Sequence, residues 1–224
     1  MSALLFDFDG VIVHSEPLHY AAISETFAAH NMHFSEETYY QRYVAYADRD
    51  LFPIIARDCN HDLTAEQLET MLEEKWTRFA ALVKSKGVEH FDATLDLISH
   101  AHACNITIAL CTAAMRRDVD LILGQLNILS KFATIVSAND VPKSKPDPAP
   151  YSLACKRLNK SPQNCVALED TPGGIASALG AGCKVIGVCH TLPAHRLHQA
   201  TRVVASSRDL TVDAMLAMLT PLWS

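Results

Sequence analysis

Apolar residues fall into two patterns along this 224-residue chain, and the two patterns occupy different territories. In the first, apolar runs of four to six residues stop abruptly at polar ones: residues 3–6, 106–110, 132–136, 165–168, 183–188 and 202–205. Such runs, without alternation, fit strands buried on both faces of a parallel sheet. Helical patterns of crossover length lie between them. One begins at Asp92, read as an N-cap, and carries Leu95, Ile98 and Ala101, with Asn105 near its end. Another carries Val119, Ile122, Leu123 and Leu126. A third opens at Thr171, has Pro172 at its first position, and closes on Gly180 and Gly182. This alternation predicts a doubly wound α/β core with a Rossmann-like parallel sheet.

The second territory, residues 15–88, contains no convincing strand. Thr64-Ala65-Glu66-Gln67 is a capping box, and the helix it opens has apolar positions at Leu68, Met71, Leu72, Trp76, Phe79, Leu82 and Val83. Gly87 follows as its terminator. Shorter segments over 18–27, 36–44 and 51–56 are compatible with helices. A helical block of about 75 residues between two strands is too long for a crossover. The expected organisation is a core of residues 1–14 plus 89–224, with an all-helical domain of residues 15–88 inserted after the first strand.

Composition narrows the function classes. Apolar residues make 49% and charged residues 20%, which excludes a disordered chain. Nineteen basic against 25 acidic residues leave a net charge of −6, no footprint for nucleic acid, although a local pocket can still take a small phosphorylated substrate. No apolar run approaches the ~20 residues of a membrane span. Acids at positions 7 and 9 interrupt the stretch that a secretory leader needs. Seven cysteines without C-x-x-C or zinc spacing read as reduced, buried thiols. A cytoplasmic protein, monomeric or weakly homodimeric, is expected. Eleven histidines show no convincing ligand spacing, so zinc is discounted.

Ligands of open α/β sheets bind beyond the carboxyl ends of the strands, so what each apolar run ends in carries information. The first ends in Asp7-Phe8-Asp9-Gly10 and the second in Cys111-Thr112-Ala113-Ala114. The stretch after the third holds Lys143-Ser144-Lys145-Pro146-Asp147-Pro148, and the fourth ends in Glu169-Asp170. Singly, these fragments have plain readings as helix caps, turns or part of a calcium loop, which would need more oxygen ligands than follow here. In order, on a consistent strand pattern, they bring four carboxylates, one hydroxyl and one ammonium to one rim. Clustered carboxylates repel unless a cation sits among them, and few hard oxygen donors suit Mg2+. A carboxylate beside a phosphoryl group can attack phosphorus. A second carboxylate two residues on can supply and then take a proton.

Asp7-Phe8-Asp9-Gly10-Val11-Ile12, Thr112, Lys145-Pro146-x-Pro148 and Glu169-Asp170-Thr171-Pro172-Gly173-Gly174 resemble the four signatures of haloacid dehalogenase-superfamily phosphatases. Pro17-Leu18-His19, Thr112-x-x-x-Arg116 and Ala181-Gly182 look like the β-phosphoglucomutase-like subfamily, which has a helical cap after the first signature. The resemblance covers nearly the whole chain. It implies Asp7 as nucleophile and metal ligand, and Asp9 as general acid/base with its carbonyl on Mg2+. Thr112 and the Ala113 amide would hold the transferring phosphoryl group. Lys145 would pair with Asp7 and phosphate, Asp170 would bind the metal, and Glu169 would be a direct or indirect metal ligand.

Three departures stand out. Thr112-Ala113-Ala114 lacks the hydroxyls many relatives carry there, residues 43–47 read Tyr-Val-Ala-Tyr-Ala where a glycine is usual, and His14 replaces an acid. In the expected cap, His19 aligns with a hinge histidine, its plainer reading being helix packing. Arg49, between Asp48 and Asp50, reads as a substrate-anion contact or a solvated turn. Lys75 and Arg78 read as a wet helix face, Trp76 and Phe79 as core, and Lys143 as solvated or as a source of positive potential at the mouth. The implied activity is Mg2+-dependent hydrolysis of a small phosphomonoester, a sugar or polyol phosphate first, through an aspartyl phosphate. The alternatives are a β-phosphoglucomutase-type phosphomutase and, in a different class, a non-catalytic metabolite-binding protein. A dehalogenase would have no use for Asp9.

Overall fold

The computed structural model describes residues 2–44 and 46–219. The chain forms two compact units, Met1–His14 together with Glu89–Ser224, and Ser15–Val88. Strand β1 (Ala3–Phe6) and the short β2 (Val13–His14) open the first unit. The second consists of α1 (Glu16–Ala29), α2 (Glu36–Thr38) running into a π-helical turn at Tyr39–Tyr43, α3 (Asp48–Asp58) and α4 (Ala65–Lys86). The first unit resumes with β3 (Glu89–His90), α5 (Asp92–Ala103), β4 (Thr107–Cys111), α6 (Arg116–Gln125) and β5 (Thr134–Val136). It continues with α7 (Ala149–Arg157), β6 (Cys165–Glu169), α8 (Pro172–Ala181), β7 (Lys184–Val188), β8 (Arg202–Val204) and α9 (Val212–Ala217).

Six strands form a parallel sheet in the order β5-β4-β1-β6-β7-β8. The chain winds outward from β1 through β4 to β5, then crosses back to β6 and winds the other way. Strand β1 is therefore the point where the winding reverses, the place where doubly wound sheets hold ligands. All four residues of β1 are fully buried, which explains a run without alternation. On one face, Leu5, Ala109, Cys111 and Ala167 pack with Tyr151, Ala154 and Ile175 from the covering helices.

Helix boundaries follow local chemistry. Thr171 caps α8 by accepting from the Gly174 amide, and Gly182 ends it in the left-handed region at φ 95°. Asn31, Asn60, Asn105, Asn127 and Asn159 all adopt positive φ, each two residues beyond the end of a helix. Asp92 is the first residue of α5 rather than its cap. Phe91 takes the capping position because its amide is spent on the Ile12 carbonyl and its ring stacks on His190.

The helical unit has its own interior around Phe27, Tyr39, Phe52, Ile55 and Met71. The capping box at Thr64 and Gln67 is fully formed. Lys75 departs from the expected wet face, with only 3% of its surface exposed. It lies four residues from both Met71 and Phe79, on the stripe that α4 turns inward. Its ammonium donates to Asp48 Oδ2 at 2.6 Å and reaches His19 Nδ1 at 2.9 Å, and the His19 ring stacks on Phe79 with centroids 4.1 Å apart. Burial first, then the Lys75 charge, hold the His19 pKa well below its usual value, so the imidazole is a neutral acceptor. Arg49 lies in the first turn of α3, not in a loop, and its guanidinium meets both Glu69 carboxylate oxygens at 2.6 and 3.0 Å. Arg78 is half-buried and pairs with Glu74 at 3.4 Å, Phe79 lies in the interior and Trp76 is half-buried. Of the stretch 43–47, Ala45 lies outside the described residues.

Because a buried charge stripped of its partner costs more than an apolar replacement, Asp48→Ala is expected to destabilise the protein by roughly 1–3 kcal/mol and Lys75→Met by less. Chemical denaturation of the two variants, compared at constant m-value, checks the order.

Candidate active site

Register determines which side chains meet. Phe6 lies opposite Leu110 of β4 and Leu168 of β6, so the next residue on each strand, Asp7, Cys111 and Glu169, falls at one level. The Asp7 amide extends the ladder by donating to the Leu168 carbonyl at 3.0 Å. Thr112 comes one residue beyond β4, its amide held by the Val136 carbonyl at 2.9 Å. Its hydroxyl oxygen accepts from the Ala114 amide at 2.9 Å, fixing the turn on which Ala113 is exposed.

Lys145 reaches this level from the segment before α7. Its Nζ lies 2.5 Å from Asp7 Oδ1 and 2.7 Å from Glu169 Oε1. Tyr151, on the first turn of α7, donates to the same Glu169 oxygen at 2.6 Å. Burial raises the pKa of this phenol far above its usual value, keeping it a donor. Asp7, Glu169 and Asp170 each offer a carboxylate oxygen within 4.8 Å of the others, and all three are buried. Asp9 follows in the turn closed by the Gly10 amide on the Val13 carbonyl at 2.7 Å, and is half-buried there. The four acids and Lys145 thus come to the carboxyl edge of β1 and β6, with Thr112 just beyond the end of the adjoining β4. Lys143 is exposed. His19 and Arg49 belong to the helical unit, where their partners are Lys75 and Glu69.

Two glycines are required by this crowding. A Cβ on Gly10, which has φ +76°, would fall 1.9 Å from Asp170 Oδ2. One on Gly174, in the first turn of α8, would fall 1.9 Å from Glu169 Oε2.

The charges do not balance within the protein. Lys145 brings one positive charge to three carboxylates. Burial would lower its pKa, but the Asp7 and Glu169 charges outweigh that and hold it above its ordinary value. Burial, then the Asp7 charge, push Glu169 up to about 8 and Asp170 up to about 7. Glu169 Oε2 and Asp170 Oδ1 are buried without a hydrogen-bond partner. Orphaned hard oxygens with two charges unneutralised fit a divalent cation such as Mg2+.

The family model for haloacid dehalogenase-like hydrolases matches residues 4–188. The chain belongs to that family. It is 30% identical to hexitol phosphatase A of Escherichia coli over 93% of this chain and 92% of that protein. It is 29% identical to a phosphorylated carbohydrates phosphatase of Thermotoga maritima over 86% and 87%. The crystal structure of CbbY from Rhodobacter sphaeroides in complex with phosphate superposes with a TM-score of 0.84 at 26% identity, over 96% of this chain and 99% of that one. It is a phosphoric monoester hydrolase of this family, and a β-phosphoglucomutase-like protein from Thermotoga maritima is among its structural neighbours, with a TM-score of 0.76 at 26% identity over 98% of each chain. Among the described residues no helix is long and apolar enough to cross a membrane.

Tyr151, His190 and Thr191 touch the site but do not follow from the four signatures. Thr191 Oγ1 donates to Asp170 Oδ2, and His190 Nδ1 meets the Gly10 carbonyl at 2.9 Å. A signal for the latter two existed: the apolar run over 183–188 also ends at the site, in Cys189-His190-Thr191.

Raised carboxyl pKa values fix the sign of a pH effect. Relative to carboxyls free in the unfolded chain, Glu169 and Asp170 hold protons in the folded metal-free protein, so stability present near pH 4 is lost as pH climbs through 7 to 8. Metal-free protein is expected to melt at lower temperature at pH 8 than at pH 6, with excess Mg2+ largely abolishing the difference. Thermal melts with chelator and with Mg2+ measure it.

Proposed function

We propose that this haloacid dehalogenase-like hydrolase removes the phosphoryl group from a small phosphorylated metabolite, a sugar or polyol phosphate, through a covalent aspartyl phosphate on Asp7. The observation that carries the proposal is the Asp7 carboxylate held against the Lys145 ammonium at 2.5 Å, within 4.8 Å of two further acids. Asp7, Asp170 and the Asp9 carbonyl would hold Mg2+. Glu169 would be a direct or an indirect ligand: Lys145 and Tyr151 engage its Oε1, while Oε2, without a hydrogen-bond partner, packs against Gly174. It serves the metal through Lys145 and Asp7 or by its free oxygen. When bound, the cation offsets the mutual repulsion of carboxylate and phosphate.

Each residue then has a defined task. Lys145 orients Asp7 and bears part of the charge on the phosphoryl oxygens. The Thr112 hydroxyl accepts from Ala114, so its proton is free to donate to a phosphoryl oxygen, and the exposed Ala113 amide adds a second donor. An Asp7 oxygen attacks phosphorus as the bond to the substrate oxygen breaks, and Asp9 gives that oxygen its proton. Asp9, now ionised, takes a proton from water as the water oxygen attacks phosphorus and the acyl phosphate bond breaks. Inorganic phosphate leaves, and Asp7 and Asp9 return to their starting states.

The sugar or polyol class is supported by relatives described as acting on phosphorylated carbohydrates and by the hexitol phosphatase. From the helical unit, His19 and Arg49 are the proposed substrate contacts. His19 is engaged there by Lys75, and Arg49 would have to exchange Glu69 for the substrate to serve as an anion contact.

Asp7→Asn is expected to reduce hydrolysis of p-nitrophenyl phosphate at least about a thousand-fold while leaving the melting profile that of a folded protein. Excess chelator should have the same effect on the unaltered enzyme, and Mg2+ should restore it. Full turnover in either case removes the mechanism. A panel of sugar, polyol and nucleotide phosphates ranks substrates by kcat/KM. Glucose 1-phosphate with a bisphosphate activator in that panel separates hydrolysis from phosphoryl return to a sugar hydroxyl.

A further inference from the structure

The loop after β7 brings a dipeptide outside the four signatures, His190-Thr191, to the acidic cluster. Thr191 Oγ1 donates to Asp170 Oδ2, while Asp170 Oδ1 is buried without a partner. The carboxylate is thereby turned so that one oxygen is engaged and the other left open. His190 acts on the Gly10 turn, which flanks the same carboxylate. Its Nδ1 lies 2.9 Å from the Gly10 carbonyl oxygen, which can only accept, so Nδ1 carries the ring proton. Nε2 is then the acceptor, approached by the Ser207 amide at 3.3 Å and its hydroxyl at 3.4 Å. Stacking on Phe91, with centroids 3.9 Å apart and planes 11° from parallel, fixes the ring.

These contacts converge on one gap. The Gly10 Cα faces Asp170 so closely that a Cβ would meet Asp170 Oδ2 at 1.9 Å and the Thr191 methyl at 2.9 Å. The Gly10 turn and the Thr191 side chain therefore flank the same carboxylate oxygen, and the position of the turn limits where Oδ2 can lie. His190 ties that turn through its carbonyl, and Phe91 ties it again by donating its amide to the Ile12 carbonyl at 3.0 Å.

We infer that His190 and Thr191 are positioning residues for metal binding: Thr191 orients Asp170 with one oxygen open, and His190 holds the Gly10 turn against it. The inference rests on the cation-assisted hydrolysis proposed above. Neither side chain touches the reacting atoms, and both act through Asp170. Partners that orient metal ligands in this way commonly set affinity by 10- to 100-fold.

Isothermal titration calorimetry with Mg2+ on the full chain, together with kcat and KM for p-nitrophenyl phosphate, tests it. Thr191→Val is expected to weaken Mg2+ binding about 10-fold or more and to lower kcat at saturating substrate with little change in KM. Thr191→Ser, which keeps the hydroxyl, restores both. His190→Asn, whose amide nitrogen can replace Nδ1 as donor, retains affinity that His190→Leu loses. Should Thr191→Val not fold, Thr191→Ala carries the same comparison with Thr191→Ser. Undiminished Mg2+ affinity in a folded hydroxyl-less variant overturns the inference and leaves the proposed hydrolysis standing. So does a Thr191→Ser protein as weak as Thr191→Val. Absence of Mg2+ binding in the unaltered chain overturns both.

Discussion

Three buried carboxyl groups gathered around one ammonium are the constraint on which the first unit is built. Asp7, Glu169 and Asp170 cannot all ionise beside Lys145 alone without a large electrostatic cost. The fold tolerates the arrangement because the backbone gives no choice: β1 and β6 are paired in parallel, and the register brings Asp7 level with Glu169. Everything nearby is shaped to the same crowding. Gly10 and Gly174 leave out the carbon atoms that would strike the carboxylates, and the Tyr151 and Thr191 hydroxyls each satisfy one carboxylate oxygen. The sheet interior is apolar, so the excess charge is concentrated at its carboxyl edge, where doubly wound sheets hold ligands.

The strands and the ends of the strands were legible in the sequence because each carries its own signal. A strand buried on both faces reads as an uninterrupted apolar run, and polar residues at its carboxyl end stand out against it. That logic located Asp7, Thr112 and Glu169-Asp170, and applied to β7 it also points to His190-Thr191. Tyr151 was less visible. Its ring is part of the apolar packing between α7 and the sheet, and only the three-dimensional path of α7 brings its hydroxyl to Glu169.

Lys75 illustrates the opposite failure. A lysine on a long amphipathic helix reads as solvent-facing because its residue type outweighs its position. Position was the better guide here: Met71, Lys75 and Phe79 follow at intervals of four, one stripe of α4. What makes the burial tolerable is Asp48, 27 residues earlier in the chain, and such long-range pairing leaves no local trace. The helix stops were partly hidden for a related reason. Five helices end with an asparagine at positive φ, and asparagine is a weaker and more ambiguous stop sign than glycine.

The two short strands β2 and β3 pair antiparallel, Val13 with His90 and His14 with Glu89. Departure and return of the polypeptide thus share a single doorway, with His14 and Glu89 lying opposite each other. Loop-closure entropy grows only slowly with the length of what lies between, about 0.6 kcal/mol per doubling. The helical segment is consequently a module whose length can change at little entropic cost while the parallel sheet keeps its register.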